Sequence, residues 1–176
     1  MDTDRARTDG LLQGGLWATA GLWAMGWVWW AQDIAGMAPC ELCFWERWPY
    51  RALILLGLAW MIAGACGLRV GRAMAVLITL TLLAAVGIAG LHVGVEQGWW
   101  PSPLPACAAP HFSGGTMAQR LAAMPLRPAK PCDSPNRLLG WLPVSMAMLD
   151  FIYAVVLLTS AWLIVPPVLR SLRRPR

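Results

Sequence analysis

The residues of this chain that could carry chemistry are its five cysteines, four of which form two groups along the sequence. Cys40 and Cys43 form a C-x-x-C motif directly before an apolar run that predicts a helix. A thiol at a helix N-terminus is unusually acidic, because the partial positive charge of the helix favours the thiolate. Arg47 follows Cys43 by one helical turn and can face the same sulfur, whereas Glu41 opposes the effect. The pattern predicts a reactive dithiol.

Cys107 and Cys132 lie farther apart, in a stretch rich in proline that predicts irregular, exposed chain. A disulfide between them would span a loop rather than fasten a core, as labile and exchangeable bridges do; an inert loop bridge is the alternative. Within the stretch, Thr116 to Met124 predicts a short helix with Thr116 as its N-cap. Cys66 stands alone in an apolar run, so we expect a small buried residue without a redox role.

A structural zinc site is the rival use of the same four cysteines. Such sites need two closely spaced pairs, and Cys107 and Cys132 are not closely spaced, so we expect no metal. Two redox pairs in one chain favour an electron relay, in which one pair accepts electrons from a soluble dithiol and the other passes them on. The relay needs a final acceptor, and the sequence carries neither a G-x-G-x-x-G nor a C-x-x-C-H motif. A membrane-dissolved quinone remains by elimination.

The composition indicates which elements must position the cysteines. Of 176 residues, 58% are hydrophobic and 13% are charged, whereas soluble domains carry about a quarter charged residues. Four runs approach the ~20 apolar residues that a membrane span requires, and the first is too long for a signal peptide. The approximate bounds of the predicted helices are 11–31, 49–68, 73–93 and 146–165. The chain therefore predicts a single all-α domain over 1–176, an integral membrane four-helix bundle.

The basic residues predict the orientation of this bundle. Eight of the 14 Lys and Arg residues fall in the two tails and the second interhelical link, so both termini are expected in the cytoplasm by the positive-inside rule. The loops over about 32–48 and 94–145 then face an oxidising compartment and hold four cysteines. Because the basic residues flank apolar runs instead of forming a patch, the charge of +5 predicts no nucleic-acid partner.

Aromatic residues and one histidine fit the same layout. Seven of the 12 tryptophans fall at the predicted outer boundary, as in an aromatic belt: Trp29, Trp30, Trp45, Trp48, Trp99, Trp100 and Trp141. His92 comes at the outer end of the third predicted helix, at a depth suited to donate a hydrogen bond to a quinone oxygen. His111 lies in the long loop and is expected to be solvated.

The segment from Pro39 to Tyr50, PCELCFWERWPY, resembles the P-C-x-L-C-x-x-[EQ]-R-x-P-Y signature of the bacterial disulfide-bond-formation protein B family. The similarity continues at His92 to Glu96, at Trp100 to Cys107, and at Cys132 with Asp133. It covers nearly the whole chain. The resemblance implies a multi-pass enzyme of the bacterial inner membrane with its active cysteines on the periplasmic side.

Such an enzyme is a thiol:quinone oxidoreductase, which reoxidises a periplasmic thiol oxidase of thioredoxin fold (DsbA-like). It passes the electrons to ubiquinone or menaquinone of the membrane quinone pool and so sustains disulfide-bond formation. Carried over to this sequence, the resemblance implies that the partner's thiolate attacks Cys107 and that Cys132 leaves and then exchanges with Cys40. Cys43, freed as a thiolate, donates to the quinone.

The resemblance also assigns cofactor-binding residues and shows two departures. Arg47 is expected to position the quinone ring and stabilise charge, and His92 matches a position associated with the quinone pocket. Trp141 to Val144 reads as an insertion before the last helix, and Asp150 stands where the family pattern leads us to expect a neutral amide. An ionisable group in a membrane span is a functional candidate, although a side chain one turn below the interface can also reach water.

Two other classes of function remain open on the residues. One is a tetraspan membrane protein for binding or assembly, in which the cysteines are purely structural. The other is a redox-sensing or metal-sensing membrane module. Both keep the predicted helices and loops, but neither requires electrons to pass from one cysteine pair to the other. The redox state of Cys40 and Cys43 when respiration is blocked distinguishes them from the relay.

Overall fold

The computed structural model describes residues 2–107, 116–122, 130–137 and 144–172. These residues are mostly helical, and they form no β-strand beyond one isolated bridge between Arg137 and Ser145. The helices in chain order are α1 (Asp2–Trp29), α2 (Glu41–Ala65), α3 (Gly71–Glu96), α4 (Met117–Ala122) and α5 (Met146–Leu172). A π-helical turn over Trp30–Ile34 extends α1, and Pro105–Cys107 is a short 3-10 turn.

Three helices of the described chain are long and apolar enough to cross a membrane: α2, α3 and the Met146–Leu163 part of α5. Large apolar side chains on their surfaces are widely exposed, as lipid contact requires; Leu55, Ile62 and Leu163 are 68%, 66% and 78% exposed. The prediction of a mostly helical chain with several helices able to span a membrane is confirmed for the described residues. Helix α1 falls outside this group, because the run over 11–31 contains four glycines and five tryptophans and is less hydrophobic.

Small residues let α1 and α2 pack with their backbones in contact. A Cβ atom added at Gly14 would lie 2.6 Å from the carbonyl oxygen of Gly57, and one added at Gly57 would lie 2.5 Å from the backbone nitrogen of Ala18. A second close approach joins Gly10 and Gly64 near the other end of the pair. Small residues at helix crossings are typical of membrane proteins, where van der Waals packing drives helix association. The glycines of the first run therefore bring α1 against α2.

Three helix boundaries differ by more than a few residues from the sequence expectation. Helix α1 begins at Asp2 instead of about 11. Helix α2 begins at Glu41 instead of about 49, so the first loop is shorter than expected and the C-x-x-C motif lies on the helix end. Hydropathy marks where the lipid-facing run begins, whereas the N-cap at Cys40 determines where the helix begins. Helix α5 continues through Pro166 and Pro167, where the sequence favoured an end. The fixed φ of proline is compatible with a helical backbone.

Several smaller expectations can be compared with the described residues. Thr116 caps α4 as predicted, since its hydroxyl accepts the N–H of Gln119 at 3.4 Å. The prediction that Cys66 is buried is wrong, because it is exposed at the C-cap of α2; its lack of a redox role stays a prediction. Six of the seven boundary tryptophans are exposed, as anchors should be. Trp141 and His111 lie outside the described residues.

The ends of three helices meet where the chemistry-bearing residues lie. The N-terminus of α2, the C-terminus of α3 and the N-terminus of α5 lie together, because α3 packs against both α2 and α5. A separate core packs at mid-length, around Trp17, Leu53 and Leu82. The fold thus places Cys40, His92 and the start of α5 at one end.

Candidate active site

The Cys40–Cys43 motif forms the N-terminus of α2. Cys40 is the N-cap, in extended backbone conformation, and its Sγ accepts a hydrogen bond from the backbone N–H of Cys43 at 3.3 Å. The two Sγ atoms belong to free thiols and lie 2.8 Å apart. The hydrogen bond with the Cys43 thiol lowers the pKa of the Cys40 thiol below its ordinary value, and burial of Cys40 opposes this effect. Cys40 is therefore a sulfur whose thiolate the helix end stabilises.

A buried histidine and carboxylate stand behind Cys40. His92 Nε2 lies 3.4 Å from Cys40 Sγ, and His92 Nδ1 lies 2.7 Å from Glu46 Oε1. His92 is 2% exposed and Glu46 is 8% exposed. When Nδ1–H donates to the carboxylate, the ring is held with Nε2 toward the sulfur. The row Cys40–His92–Glu46 can therefore take up or return the proton of the Cys40 thiol.

Cys107 and Cys132 are joined by a disulfide that packs against the same helix end. The backbone N–H of Cys132 also donates to the carbonyl oxygen of Cys107 at 3.3 Å. Both cysteines belong to one buried cluster with Cys40, Leu42 and Val95. The prediction of exposed chain is wrong for the disulfide itself, since the two residues are 3% and 1% exposed. An apolar disulfide gains from burial against leucine and valine, and this burial brings it to Cys40.

Asn136 ties the second loop to the segment before α2. Its side-chain Nδ2 donates to the carbonyl oxygen of Ala38 at 3.0 Å, and its Oδ1 accepts from Lys130 Nζ at 2.6 Å. Its own carbonyl oxygen accepts the N–H of Met146, at the start of α5, at 2.8 Å. One residue therefore connects both loops and a helix end beside the cysteines.

A cavity of about 380 Å³ lies between α1, α2 and α5. Its wall is mostly apolar and aromatic, with Trp23 and Trp27 from α1, and Cys43 is part of it. Sites for small organic ligands have this size and this apolar character, with a few polar groups that fix orientation. The polar groups here include Arg47 and Asp150. The cavity can therefore hold a small planar molecule next to the second cysteine of the motif.

Arg47 presents an unsatisfied donor at this cavity. The side chain is 8% exposed, and its guanidinium lies over the ring of Phe44 at 4.3 Å from the centroid. Its Nε is buried and has no hydrogen-bond partner among the described residues. A buried donor without an acceptor is costly and rare in native proteins. The arrangement therefore suits a ligand that brings an acceptor oxygen to Arg47.

Tyr50 and Asp150 form a second polar group on the cavity wall. The Tyr50 hydroxyl donates to Asp150 Oδ1 at 2.6 Å, so the pair links α2 to α5. Cys43, Glu46 and Tyr50 follow one another at intervals of three and four residues, which places them along one face of α2. Sequence reasoning missed Glu46 and Tyr50, although this helical spacing from Cys43 could have indicated them.

A model of the family of disulfide bond formation protein DsbB matches residues 13–164. This chain belongs to the DsbB family. The resemblance seen in the sequence is confirmed, and membership implies a disulfide-generating oxidoreductase in a membrane. Comparison with curated proteins and with solved structures found no match.

The predicted site residues of this DsbB-family chain do not all meet at one point. The four cysteines and His92 lie in contact around the start of α2. Arg47 lies on the cavity wall with Cys43, whereas His92 is not among the described residues that line the cavity. Sulfur and nitrogen atoms of Cys40, Cys43 and His92 also lie within 4.8 Å of one another, close enough to bind one metal ion.

Proposed function

We propose that this chain is a thiol:quinone oxidoreductase of the bacterial inner membrane. It oxidises a periplasmic DsbA-like thiol oxidase and passes two electrons to a membrane quinone, ubiquinone or menaquinone. The chain would form a four-helix bundle with cytoplasmic termini and two periplasmic loops. One observation carries the proposal: Cys40 packs against the Cys107–Cys132 disulfide, while Cys43 lines the cavity. The C-x-x-C motif thus stands between a disulfide and a ligand site.

The first exchange takes place at the loop disulfide. The partner's thiolate attacks Cys107 Sγ, the Cys107–Cys132 bond breaks, and Cys132 leaves as a thiolate. Because both cysteines are buried in the described structure, the loop must move off the cluster before a protein partner reaches Cys107. The second thiolate of the partner then resolves the mixed disulfide, so the partner leaves oxidised and Cys107 is released as a thiol.

The second exchange transfers the electrons to the C-x-x-C motif. The Cys132 thiolate attacks Cys40 Sγ of an oxidised Cys40–Cys43 pair, and Cys43 leaves as a thiolate. The packing of Cys132 and Cys40 in one buried cluster supports this step. Cys107 then closes the loop disulfide again and Cys40 is left as a thiol. The backbone N–H of Cys43, which donates to Cys40 Sγ at 3.3 Å, stabilises the Cys40 thiolate that leaves in this resolving step.

His92 supports the chemistry of Cys40. Its Nε2 is 3.4 Å from the sulfur and its Nδ1 is held by Glu46, so the imidazole can accept the thiol proton as Cys40 closes on Cys43. The sequence-based role of His92 as a hydrogen-bond donor to the quinone stays a prediction. Its contacts among the described residues favour a role at the sulfur.

The cavity suits a quinone head group in three respects. It has an aromatic and apolar wall, a buried Arg47 Nε without a partner, and the Cys43 sulfur on its surface. Cys43 would be the sulfur nearest the ring, and Arg47 would hold a ring oxygen. A quinone bound there accepts two electrons and two protons and becomes the quinol. Tryptophan and tyrosine side chains would keep water from the ring.

The test combines the purified chain, a reduced DsbA-like oxidase and a short-chain ubiquinone, with quinone absorbance followed over time. We expect quinone reduction and partner oxidation in equal amounts. Absence of quinone reduction, with the partner remaining reduced, would remove the proposal. Thiol trapping during the reaction should show Cys40 and Cys43 cycling between reduced and oxidised forms; permanently oxidised cysteines would favour the purely structural alternative.

A metal-binding function is the second candidate, because Cys40, Cys43 and His92 bring three ligand atoms within 4.8 Å. Glu46 on His92 Nδ1 is the kind of outer partner that metal-bound histidines have. Addition of Cd²⁺ to the reduced chain distinguishes the two functions. Binding at submicromolar concentration in a chain that does not reduce quinone would favour a sensor.

A further inference from the structure

Asp150 is a carboxyl group at a place where the family pattern led us to expect a neutral amide, and the structure puts it on the wall of the cavity. It lies on the first turns of α5, across the cavity from α1, and shares the wall with Cys43 and Arg47. The hydroxyl of Tyr50 donates to its Oδ1 at 2.6 Å. Asp150 is therefore part of the ligand site and is not directed to the aqueous interface alone.

The surroundings of Asp150 favour a carboxylic acid over a carboxylate. An ionised side chain within a membrane span is costly unless a cation pairs with it. Among the described residues, Asp150 has one hydrogen-bond partner, Tyr50, and it forms no ion pair. Arg47 lines the same cavity but makes no bond to it. The second carboxyl oxygen makes no hydrogen bond to the described residues and remains available to a ligand.

We propose that Asp150 is the proton donor of the cavity and that Tyr50 is the residue that positions it. The inference rests on the proposed function, in which the ligand is a quinone. Asp150 would give its carboxyl proton to a ring oxygen and become a carboxylate, stabilised by the Tyr50 O–H. Asp150 lines the same cavity as Cys43, so the proton donor and the sulfur that would donate electrons both border the ligand site.

The protons and electrons balance over one cycle. Cys40 and Cys43 lose two electrons and two protons as their disulfide forms, and the quinone gains two electrons and two protons. Asp150 supplies one of the quinol protons and recovers one from solvent, and the other quinol proton comes from solvent. The two thiol protons leave to solvent, that of Cys40 by way of His92. The sum is two thiols plus quinone giving one disulfide plus quinol.

Asp150 is better placed for this role than the other acids and bases nearby. The titratable and charged groups around it are Cys43, Glu46, Arg47 and Tyr50 from α2, His92 from α3 and Tyr153 from its own helix. Glu46 is already bonded to His92 at 2.7 Å, and the Tyr153 hydroxyl donates to the carbonyl oxygen of Ala20 at 2.8 Å. The lining residues from α1 and the π-helical turn that extends it include Trp23, Trp27 and Gln32 but no titratable group.

The decisive variant is Asp150→Asn, which keeps an acceptor for Tyr50 and the size of the side chain but removes the proton. We expect kcat for quinone reduction to fall about 10²-fold to 10⁴-fold, the usual contribution of a general acid. Quinone binding, followed by quenching of cavity tryptophan fluorescence, should change less than about twofold, because few contacts are lost. Asp33→Asn, which removes an exposed acid from the turn after α1, is the matched control and should behave as wild type.

Two further readouts separate proton donation from a structural role. Infrared difference spectra of quinone reduction should contain a change in a protonated carboxyl band, and Asp150→Asn should lack it. Asp150→Glu should recover part of kcat. Tyr50→Phe should reduce kcat less than Asp150→Asn does, and the double variant should match Asp150→Asn, since Tyr50 acts through Asp150.

The outcomes are distinguishable from failure of the proposed function. If the wild-type chain neither binds nor reduces quinone, the proposed function fails and this inference fails with it. If the wild type reduces quinone and Asp150→Asn does so at the same rate, or if the carboxyl band persists in that variant, only the role of Asp150 is overturned. Intact Cys107–Cys132 and unchanged helix content in Asp150→Asn exclude misfolding as the cause of a loss.

Discussion

Cys40 and Cys43 lie on a helix end among ionisable side chains, whereas Cys107 and Cys132 lie in irregular chain between apolar ones. The first pair has Glu46 and His92 within a chain of hydrogen bonds. The second pair is held by its own disulfide and by packing on Leu42 and Val95. The reactivity of the two cysteine pairs is thus controlled in different ways: by local electrostatics for Cys40 and Cys43, and by burial for Cys107 and Cys132.

This difference indicates a division of labour. On the proposed function, the buried disulfide would be exchanged with a protein partner once its loop opens. A dithiol held by a helix cap and a histidine keeps its geometry and its thiolate while the loop moves. The predictions below test whether the two pairs fail at different steps.

The largest effects should come from replacing one sulfur in each pair. Cys107→Ser should abolish oxidation of the protein partner but leave quinone reduction by a small dithiol, which can reach Cys40–Cys43 directly. Cys43→Ser should abolish quinone reduction with either reductant. Both rates are measured from quinone absorbance, and Cys66→Ser, at the exposed C-cap of α2, is the control. Normal oxidation of the partner by Cys107→Ser would end the division of labour.

A smaller effect is expected at the cavity. Arg47→Ala removes the donor that has no partner among the described residues, so the KM for quinone should rise about tenfold to a hundredfold, the contribution of a hydrogen bond to a charged group. Exchange between the two cysteine pairs should change less than about twofold, because Arg47 lines the cavity and is not part of the cluster around the disulfide.

Arg51→Ala is the matched control for that experiment. Arg51 lies one turn farther along α2, is exposed, and stacks over Trp48 at 5.3 Å instead of lining the cavity. The two variants remove the same charge from the same helix. If both raise the KM alike, the effect comes from net charge and Arg47 has no particular place in the site.

The pH dependence of Cys40 alkylation tests whether local electrostatics control the reactivity of the C-x-x-C pair. The hydrogen bond with Cys43 lowers the pKa of Cys40, so the reactive thiolate persists to lower pH than for an ordinary thiol. Cys43→Ala removes that donor, and the alkylation profile of Cys40 should move upward by about one pH unit. Cys43→Ser keeps a hydroxyl donor and should stay near the lower position. In a Cys66→Ser background, Cys40 is the remaining free thiol of both Cys43 variants, and coinciding profiles of these two variants would contradict the role of the hydrogen bond.

The sequence predicted those features of the site that depend on neighbours along the chain. Cys40, Cys43 and Arg47 are within one helix end, so spacing alone placed them on one face. It could not predict the pair of Glu46 with His92 or of Tyr50 with Asp150, whose members are 46 and 100 residues apart. Those contacts depend on which helices pack together. Hydropathy identifies a lipid-facing helix but does not show which other helix packs against it.

The same reasoning explains the errors. Among the described residues of the second loop, proline correctly predicted irregular chain around Cys107 and Cys132. Irregular chain is not always exposed, and the disulfide within it is buried. The early start of α2 was missed because Glu46 and Arg47 lower the hydropathy of the first turns. Side chains of other helices stabilise such polar residues in the first turns of a helix. Only the folded structure shows which side chains these are.

The smallest effect concerns the contact that holds the two regions together. Asn136 donates to the carbonyl oxygen of Ala38, two residues before Cys40, and accepts from Lys130 in the second loop. Asn136→Ala removes both bonds, each worth about 1 kcal/mol, and should slow partner-driven turnover about fivefold to tenfold. Quinone reduction by a small dithiol should change little, because that route does not use the loop disulfide. Ser134→Ala, an exposed change in the same loop, should leave both rates alone. If the rates of both routes fall equally, Asn136 supports the cavity that it also lines. The disulfide region and the C-x-x-C region would then not function independently.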